Sequence, residues 1–458
     1  MVYSSLLFIY GFLPVSLAVY YGIAEKYKRT SLVVLSVIFC GAMGLRVLAL
    51  ALVYLAVNYF AGRIMGHFRK KPPAAAAFVT ASAFDLAALF MMRSQILSGL
   101  KLRLGFGRET VFLGFSLMTL SALGYLIDVW CSRTRAEKNL VSFGLYLLMF
   151  PRLIMGPIVR YETFRKIMRS RKADTETLGI GITIFVKGLA KKVIAGDSLY
   201  CLYQAVAQVD PSKLPVVSAW LGALAYIMCL YFTLSGLSDM GTGLCYCFGF
   251  RFPQGFNYPL FTGSLQYFAA RWHTQVVHWF RKFVTRPLSS LTSHKWLRSI
   301  TFIFSWTLLG CWYRFDICGA MWGLLMGAAI VIEKRFRDER LMKATGIIYT
   351  TILTTLFAVF LLAESPGNAL QWLFAMIGGN RIFADSHTIY LVREFAVMII
   401  AAAYASTDLF RKMMLRPSGG RFTGAVKALT PAIVMALLVI CTAMIAYTGV
   451  SEHMIMRI

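Results

Sequence analysis

The chain has 458 residues, of which 58% are hydrophobic, 14% aromatic and 15% charged, with a formal net charge of +27 and a mean hydropathy of +0.66. This composition excludes a soluble enzyme and describes a polytopic membrane protein. In a soluble chain so much positive charge would point to nucleic acid. Here Lys and Arg fall in short runs between apolar stretches, the pattern of cytoplasmic loops that meet anionic headgroups, and no nucleic-acid-type patch occurs.

Leu6 to Ala24 is apolar and is closed by Glu25, Lys26, Lys28 and Arg29. Positive charge after the run, with no small-residue cleavage site, predicts a retained first span with its N-terminus outside. Ser31 to Ala61 is too long for one span and is split by Arg46, which predicts two spans and a tight turn. A basic loop follows through Arg63, His67, Arg69, Lys70 and Lys71. Further spans are expected at Pro73 to Met92 with one acid, Asp85, at Val111 to Trp130 ending near Asp128, and at Asn139 to Met155, broken by Pro151. Asp128, at a span end, reads as an interfacial acid.

The basic segment Gly156 to Lys172, GPIVRYETFRKIMRSRK, predicts an interfacial element touching phosphates. In Leu178 to Tyr200, Lys187, Lys191 and Lys192 form one stripe expected to snorkel to solvent. Leu214 to Leu234 is a clear span. Later, Leu297 to Trp312 and Ile317 to Ile332 bracket a turn at Tyr313 to Asp316, a basic loop covers Glu333 to Lys343, and spans follow at about Gly346 to Ala363, Ile389 to Tyr404 and Ala432 to Tyr447. Since a span needs about 20 residues to cross about 30 Å, the total is roughly ten to twelve, in a single all-α membrane domain over residues 1–458. The cysteines are odd in number and scattered, Cys245 and Cys247 lack zinc spacing, and buried small hydrophobes is their reading.

The chain is organised around Leu234 to Leu288, which mixes Asp239, Arg251, Arg271, His273, His278, Arg281, Lys282 and Arg286 with many aromatic residues. Gly241, Gly243 and Gly249 permit close backbone approach or positive φ, and Pro253, Pro259 and Pro287 interrupt regular structure. No breaker occurs between Ser264 and Phe283, so one amphipathic helix is expected there, with Phe268, Trp272, Trp279 and Phe283 on one face. His67, His294, His387 and His453 stand alone near span ends and read as interfacial. His273 and His278 lie within the basic aromatic segment, where an imidazole could take a proton from a hydroxyl or hold an acyl carbonyl. A metal site is disfavoured, because no Cys or acid completes a ligand set.

Several ordered motifs resemble the membrane-bound O-acyltransferase family. They are FPRLIMGPIVRY (Phe150 to Tyr161), KGLAKKVIAGD (Lys187 to Asp197), YFTLSGLSDMGTGLCYCFGFRFPQGFNYP (Tyr231 to Pro259), RWH (Arg271 to His273) and the Trp279 to Leu288 segment. The likeness is to the bacterial branch of alginate O-acetylation and teichoic acid D-alanyl transfer, with a family core at about residues 100–365. It implies a ring of helices around a central funnel, with re-entrant or interfacial helices. An acyl group would pass from a cytoplasmic thioester, acetyl-CoA or a carrier-protein thioester, to a hydroxyl acceptor on a cell-surface polymer. No bound cofactor is expected. The implied partners are the bilayer, the donor, the acceptor polymer and other envelope-modification subunits, and the implied location is the cell membrane.

The family's hallmark histidine falls in a short tryptophan-histidine-glycine motif. The matching segment here is TLLGCWYRFDICGAMWG, Thr307 to Gly323, where Gly310, Trp312, Trp322 and Gly323 match but Tyr313 stands at the histidine position and Arg314 at the following glycine. A phenol is a poor general base at neutral pH. His273 resembles the family's other recurring histidine. The resemblance therefore implies His273 and Tyr313 as catalytic residues, with Asp239, Arg251, Arg271, Trp272 and Trp312 binding substrate. Asp239 also admits a structural reading, paired to a neighbouring Arg. Three functions stay open: an active acyltransferase, a catalytically silent binding or scaffold subunit, and a conduit for an acyl or lipid-linked group.

Overall fold

The computed structural model describes residues 2–69, 71–93, 112–336, 339–408 and 421–448. His453, Lys70 and Val111, together with residues 337–338 of the basic loop, lie outside them. Among the described residues the chain is helical and holds no strand, and seven helices are long and apolar enough to cross a membrane. They run Leu45–His67, Pro72–Arg93, Val216–Cys247, Ile317–Phe336, Thr345–Leu362, Ser386–Ala405 and Leu429–Tyr447, with shorter apolar helices at Leu7–Gly22 and Gly114–Trp130. The chain is thus an all-α, multi-pass membrane protein. Several apolar windows fold as interrupted helices, which is why regular spans number fewer than the windows.

The helices packing into two compact units divide the chain. The first unit comprises Met1–Leu189, Leu237–Gln254 and Thr442–Ile458. It opens with a π-helical turn, Leu7–Phe12, that runs into α1 (Leu13–Gly22). α2 (Lys28–Met43) and α3 (Leu45–His67) are separated at Gly44, whose φ of +140° only glycine adopts freely. The predicted turn therefore falls two residues before Arg46. α4 (Pro72–Arg93) and α5 (Phe112–Trp130) follow. The window at Asn139 to Met155 breaks into α6 (Leu140–Leu148) and the single turn α7 (Phe150–Leu153), with Pro151 in the first turn of α7.

α8 (Tyr161–Arg169) buries Tyr161, Phe164 and Met168 and turns its basic residues outward. Its entry is fixed by Asp128, whose buried carboxylate accepts from Arg160 Nε at 2.8 Å and faces Arg133 at 3.8 Å. Asp128 is thus a buried, paired acid. Arg152 is buried, donating to the carbonyls of Pro157 and Tyr146 at 3.0 Å each and lying 5.1 to 5.5 Å from the rings of Phe164, Phe252 and Tyr146.

α9 (Thr175–Ala190) leads into a π-helical segment, Lys191–Asp197, and α10 (Ser198–Ala207) in the second unit. The wider π turn brings residue i against i+5, and Lys192 Nζ pairs with Asp197 at 2.9 Å. Lys192 is 1% exposed, so it is a buried ion pair rather than the snorkelling cation the stripe suggested, while Lys187 is exposed as expected.

α11 (Val216–Cys247) is one unbroken helix of 32 residues. The glycines at its C-terminal end do not interrupt it. They let other backbone come close: a Cβ at Gly241 would lie 2.9 Å from the Pro151 carbonyl, and one at Gly243 2.5 Å from Phe185 N. Only Gly249, at φ +84°, serves as the turn the sequence led one to expect.

The second unit comprises Ala190–Gly236 and Gly255–Cys441. The helix expected over Ser264 to Phe283 is not continuous. α12 (Leu265–Arg271) and α13 (Thr274–Phe280) are separated at Trp272 and His273, and a π-helical segment, Arg281–Thr285, leads to α14 (Arg286–Ser290). The aromatic stripe accordingly divides into two local pairs, Phe268 with Trp272 and Trp279 with Phe283.

α15 (Lys295–Tyr313) and α16 (Ile317–Phe336) flank the predicted turn. Their backbones nearly touch through glycines: a Cβ at Gly310 would lie 2.1 Å from the Gly319 carbonyl, and one at Gly323 2.1 Å from that of Trp306. Small residues at such crossings permit the close van der Waals packing that associates helices in lipid. α17 (Glu339–Leu362), α18 (Pro366–Met376), α19 (Ser386–Ala405) and α20 (Arg421–Thr448) complete the chain.

Candidate active site

The second unit holds His273 at a junction its neighbours define. Upstream, the α12 N-terminus is anchored twice. The Ser264 hydroxyl accepts from Tyr267 N at 3.1 Å, and the Glu333 carboxylate of α16 accepts from Leu265 N at 2.7 Å and Gln266 N at 3.3 Å. Glu333 is only 5% exposed, so it is not the first residue of a solvated basic loop but the buried acceptor for a helix end. Downstream, α12 stops as Asn257 N donates to the Arg271 carbonyl at 3.1 Å, while Thr274 N and its hydroxyl donate to the Gly255 carbonyl at 2.7 and 3.1 Å.

Between these clamps His273 takes φ +38° and ψ +53°. Left-handed backbone costs a non-glycine residue on the order of 1–3 kcal/mol and persists only where surrounding contacts impose it, often at functional sites. Here those contacts come from the segment at Gly255 and Asn257. The result turns the His273 side chain inward, at 4% exposure.

The imidazole lies 18° from parallel to the Phe256 ring at 5.1 Å between centroids, and its other neighbours are Trp312 at 5.8 Å and Tyr313 at 6.0 Å. Nδ1 shares a 2.8 Å hydrogen bond with the Tyr313 hydroxyl. The Trp272 indole N–H donates to that same oxygen at 3.0 Å. Indole nitrogen can only donate, so the phenol oxygen is an acceptor toward Trp272. Trp272 is in turn fixed by stacking on Phe268 at 5.2 Å. Trp312 is buried beside the imidazole, and its Nε1 has no hydrogen-bond partner among the described residues.

Of the residues expected at the site, the structure brings together His273, Trp272, Tyr313 and Trp312. Arg271 is half-buried at the end of α12, two residues before His273. Asp239 and Arg251 belong to the first unit, in α11 and beyond it; Arg251 is exposed, with Nη2 3.5 Å from the Thr177 hydroxyl. His278 is exposed on α13 and does not share the environment of His273. His67, His294 and His387 are exposed as well. No cluster of three metal-ligating side chains occurs among the described residues. Phe256 and Glu333 escaped the sequence reading; a lone acid closing an apolar span was the available signal for the second.

Chemically, the arrangement is a buried imidazole with one nitrogen held by a phenol and an orphan indole donor alongside. A nucleophile or proton acceptor oriented by a second group that is itself oriented by a third is a recurrent logic of acyl transfer.

The same chain is 30% identical to the probable alginate O-acetylase of Pseudomonas aeruginosa over 80% of its length and 72% of that protein. It is 23% identical to the peptidoglycan O-acetyltransferase of Helicobacter pylori, covering 83% of this chain and 81% of the other. It is 24% identical to the teichoic acid D-alanyltransferase of Bacillus subtilis, covering 53% and 64%. Residues 131–361, which include α12, α13, α15 and α16, match the model of the membrane-bound O-acyltransferase family, and with relatives of this kind over most of its length the chain belongs to that family.

Proposed function

We propose that this protein transfers an acyl group, acetyl or aminoacyl, from a thioester donor on the cytoplasmic side to a hydroxyl of a cell-surface polymer. The acetylated or alanylated polymers in the relatives' names support this class of acceptor. The observation that carries the reading is the hydrogen bond between His273 Nδ1 and the Tyr313 hydroxyl.

With its proton on Nδ1 and bonded to the phenol oxygen, His273 presents Nε2 as the base. The acceptor hydroxyl gives its proton to Nε2 as its oxygen bonds to the thioester carbonyl carbon. The carbon–sulfur bond then breaks, and the thiolate leaves with that proton. Tyr313 is not asked to be the base. It orients the imidazole and is itself held by Trp272. The Trp312 N–H, lacking an acceptor, supplies a donor for the carbonyl oxygen as negative charge develops there. Arg271 stands nearby for an anionic part of donor or acceptor.

Tyr313 at the position of the family's hallmark histidine favours a second reading, in which the protein is silent and binds acyl donor or polymer beside an active homologue. Acyl transfer to an extracellular polymer, measured with reconstituted wild type, His273→Ala and Tyr313→Phe, separates the two. Activity in the wild type that falls on the order of 10²–10⁴-fold in His273→Ala supports the enzyme, with about 10²-fold lost in Tyr313→Phe from misplacement of the imidazole. A wild type without transfer, under conditions where a relative works, overturns it; recovery in Tyr313→His would establish the silent state as the loss of one residue.

A further inference from the structure

The first unit carries a cleft of about 460 Å³ that includes none of the candidate site residues, lined by Arg29, Arg135, Lys138, Arg165 and Arg169 with a single carboxylate, Glu137. The cations come from three separate parts of the chain: the first turn of α2, the connection between α5 and α6, and α8. Convergence from three segments is a property of the fold rather than of one basic run.

Their charge is not spent internally. Glu137 is occupied by the Tyr161 hydroxyl and by the N–H groups of Lys138 and Asn139, the latter two at 2.8 Å. Glu162 faces Arg165 at 3.5 Å from outside the lining. Among the described residues, Arg29, Arg135, Lys138 and Arg169 have no carboxylate partner. The floor, by contrast, is aromatic and apolar, with Tyr161, Phe164 and Met168 on the buried side of α8.

The cleft lies at an end of the first unit where the basic residues of successive connections collect, which the positive-inside rule assigns to the cytoplasm. α8 is strongly amphipathic, as helices lying in a membrane interface are. A basic rim above an apolar floor suits an anionic phosphate diester joined to an acyl chain.

We propose that this cleft is a specific site for the headgroup of an anionic phospholipid, whose phosphate is held by Arg135 and Arg169. The site is independent of the acyl-transfer reading. Guanidinium groups can hold phosphate oxygens in bidentate fashion, which gives selectivity beyond a general attraction to negative membranes.

The test uses the full-length protein in nanodiscs that contain phosphatidylglycerol and phosphatidylcholine, with retained lipid quantified by native mass spectrometry after gentle delipidation. Phosphatidylglycerol is expected to be retained preferentially. Arg135→Gln and Arg169→Gln should each weaken retention roughly fivefold, the contribution of one cation near an anionic surface. Lys166→Gln, an exposed cation of the same helix that does not line the cleft, should leave it unchanged. Equal loss in Lys166→Gln would mean a diffuse surface field and overturn the site. Loss of the preference in the presence of inorganic phosphate or coenzyme A, with retention of neither lipid, would assign the cleft to a soluble phosphorylated ligand and overturn the lipid proposal.

Discussion

A single buried nitrogen on Trp312 shows how much the chemistry depends on one atom. A buried donor without an acceptor costs about 1–3 kcal/mol, and Nε1 of Trp312 is such a donor among the described residues, on a ring whose centroid lies 5.8 Å from that of His273. If it serves a carbonyl oxygen in the transition state, Trp312→Phe, which keeps the aromatic packing and deletes the N–H, should lower the transfer rate on the order of 10²–10³-fold with little change in the donor's KM. Stopped-turnover measurement with a fixed thioester donor checks this. A fall confined to KM would make the indole a ground-state binding contact, and no change would remove it from the site.

At the level of elements, the site rests on two helix arrangements, each with its own consequence. α15 and α16 can approach only because glycine faces backbone, so Gly310→Ala should destabilise the protein by about 1–3 kcal/mol through overpacking and displace Tyr313, three residues along the same helix. Gly179→Ala on α9, where an added Cβ meets nothing within 4 Å, should leave thermal unfolding in detergent unchanged or slightly raised, because Ala is the better helix former. Equal stability of the two variants would contradict the close crossing. Glu333 acts at one remove: Glu333→Gln keeps one acceptor for the α12 N-terminus and Glu333→Ala keeps none. Transfer should fall in that order while the donor's KM holds, since Glu333 acts on the position of Trp272 and His273 through the α12 N-terminus and does not itself touch substrate. Most of these elements were legible beforehand. Apolar length located the spans, and the bracketed turn at Tyr313 to Asp316 was read correctly because it lies between two windows. The break at His273 was not legible, because no Gly or Pro stands between Ser264 and Phe283 and the left-handed backbone is imposed by Gly255 and Asn257 from outside that segment. The continuity of α11 through Gly241 and Gly243 escaped for the reverse reason: glycine signals freedom, and only the neighbouring backbone reveals that it was used for contact. His273 and Tyr313 could be singled out as residues; their hydrogen bond, across 40 positions, could not.

For the whole molecule, the proposed acyl transfer requires a fixed orientation, and the distribution of charge predicts one. In the first unit the start of α2, the α5 to α6 connection and α8 contribute Arg29, Arg135 and Arg169 to one cleft, so these parts of the chain are expected on one side of the membrane. The positive-inside rule predicts that side to be cytoplasmic. Cys131 lies in the same α5 to α6 connection as Arg135 and is exposed, which makes it a native reporter. A membrane-impermeant maleimide should label Cys131 in inverted vesicles and leave it unlabelled in intact cells, as read by mass spectrometry of the peptide that contains it and with Cys131→Ser as the blank. The deciding comparison is the ratio of the two preparations, since lipid-buried thiols contribute to neither. Labelling of Cys131 from outside intact cells would invert the predicted orientation of the first unit and place the basic cleft on the outer surface.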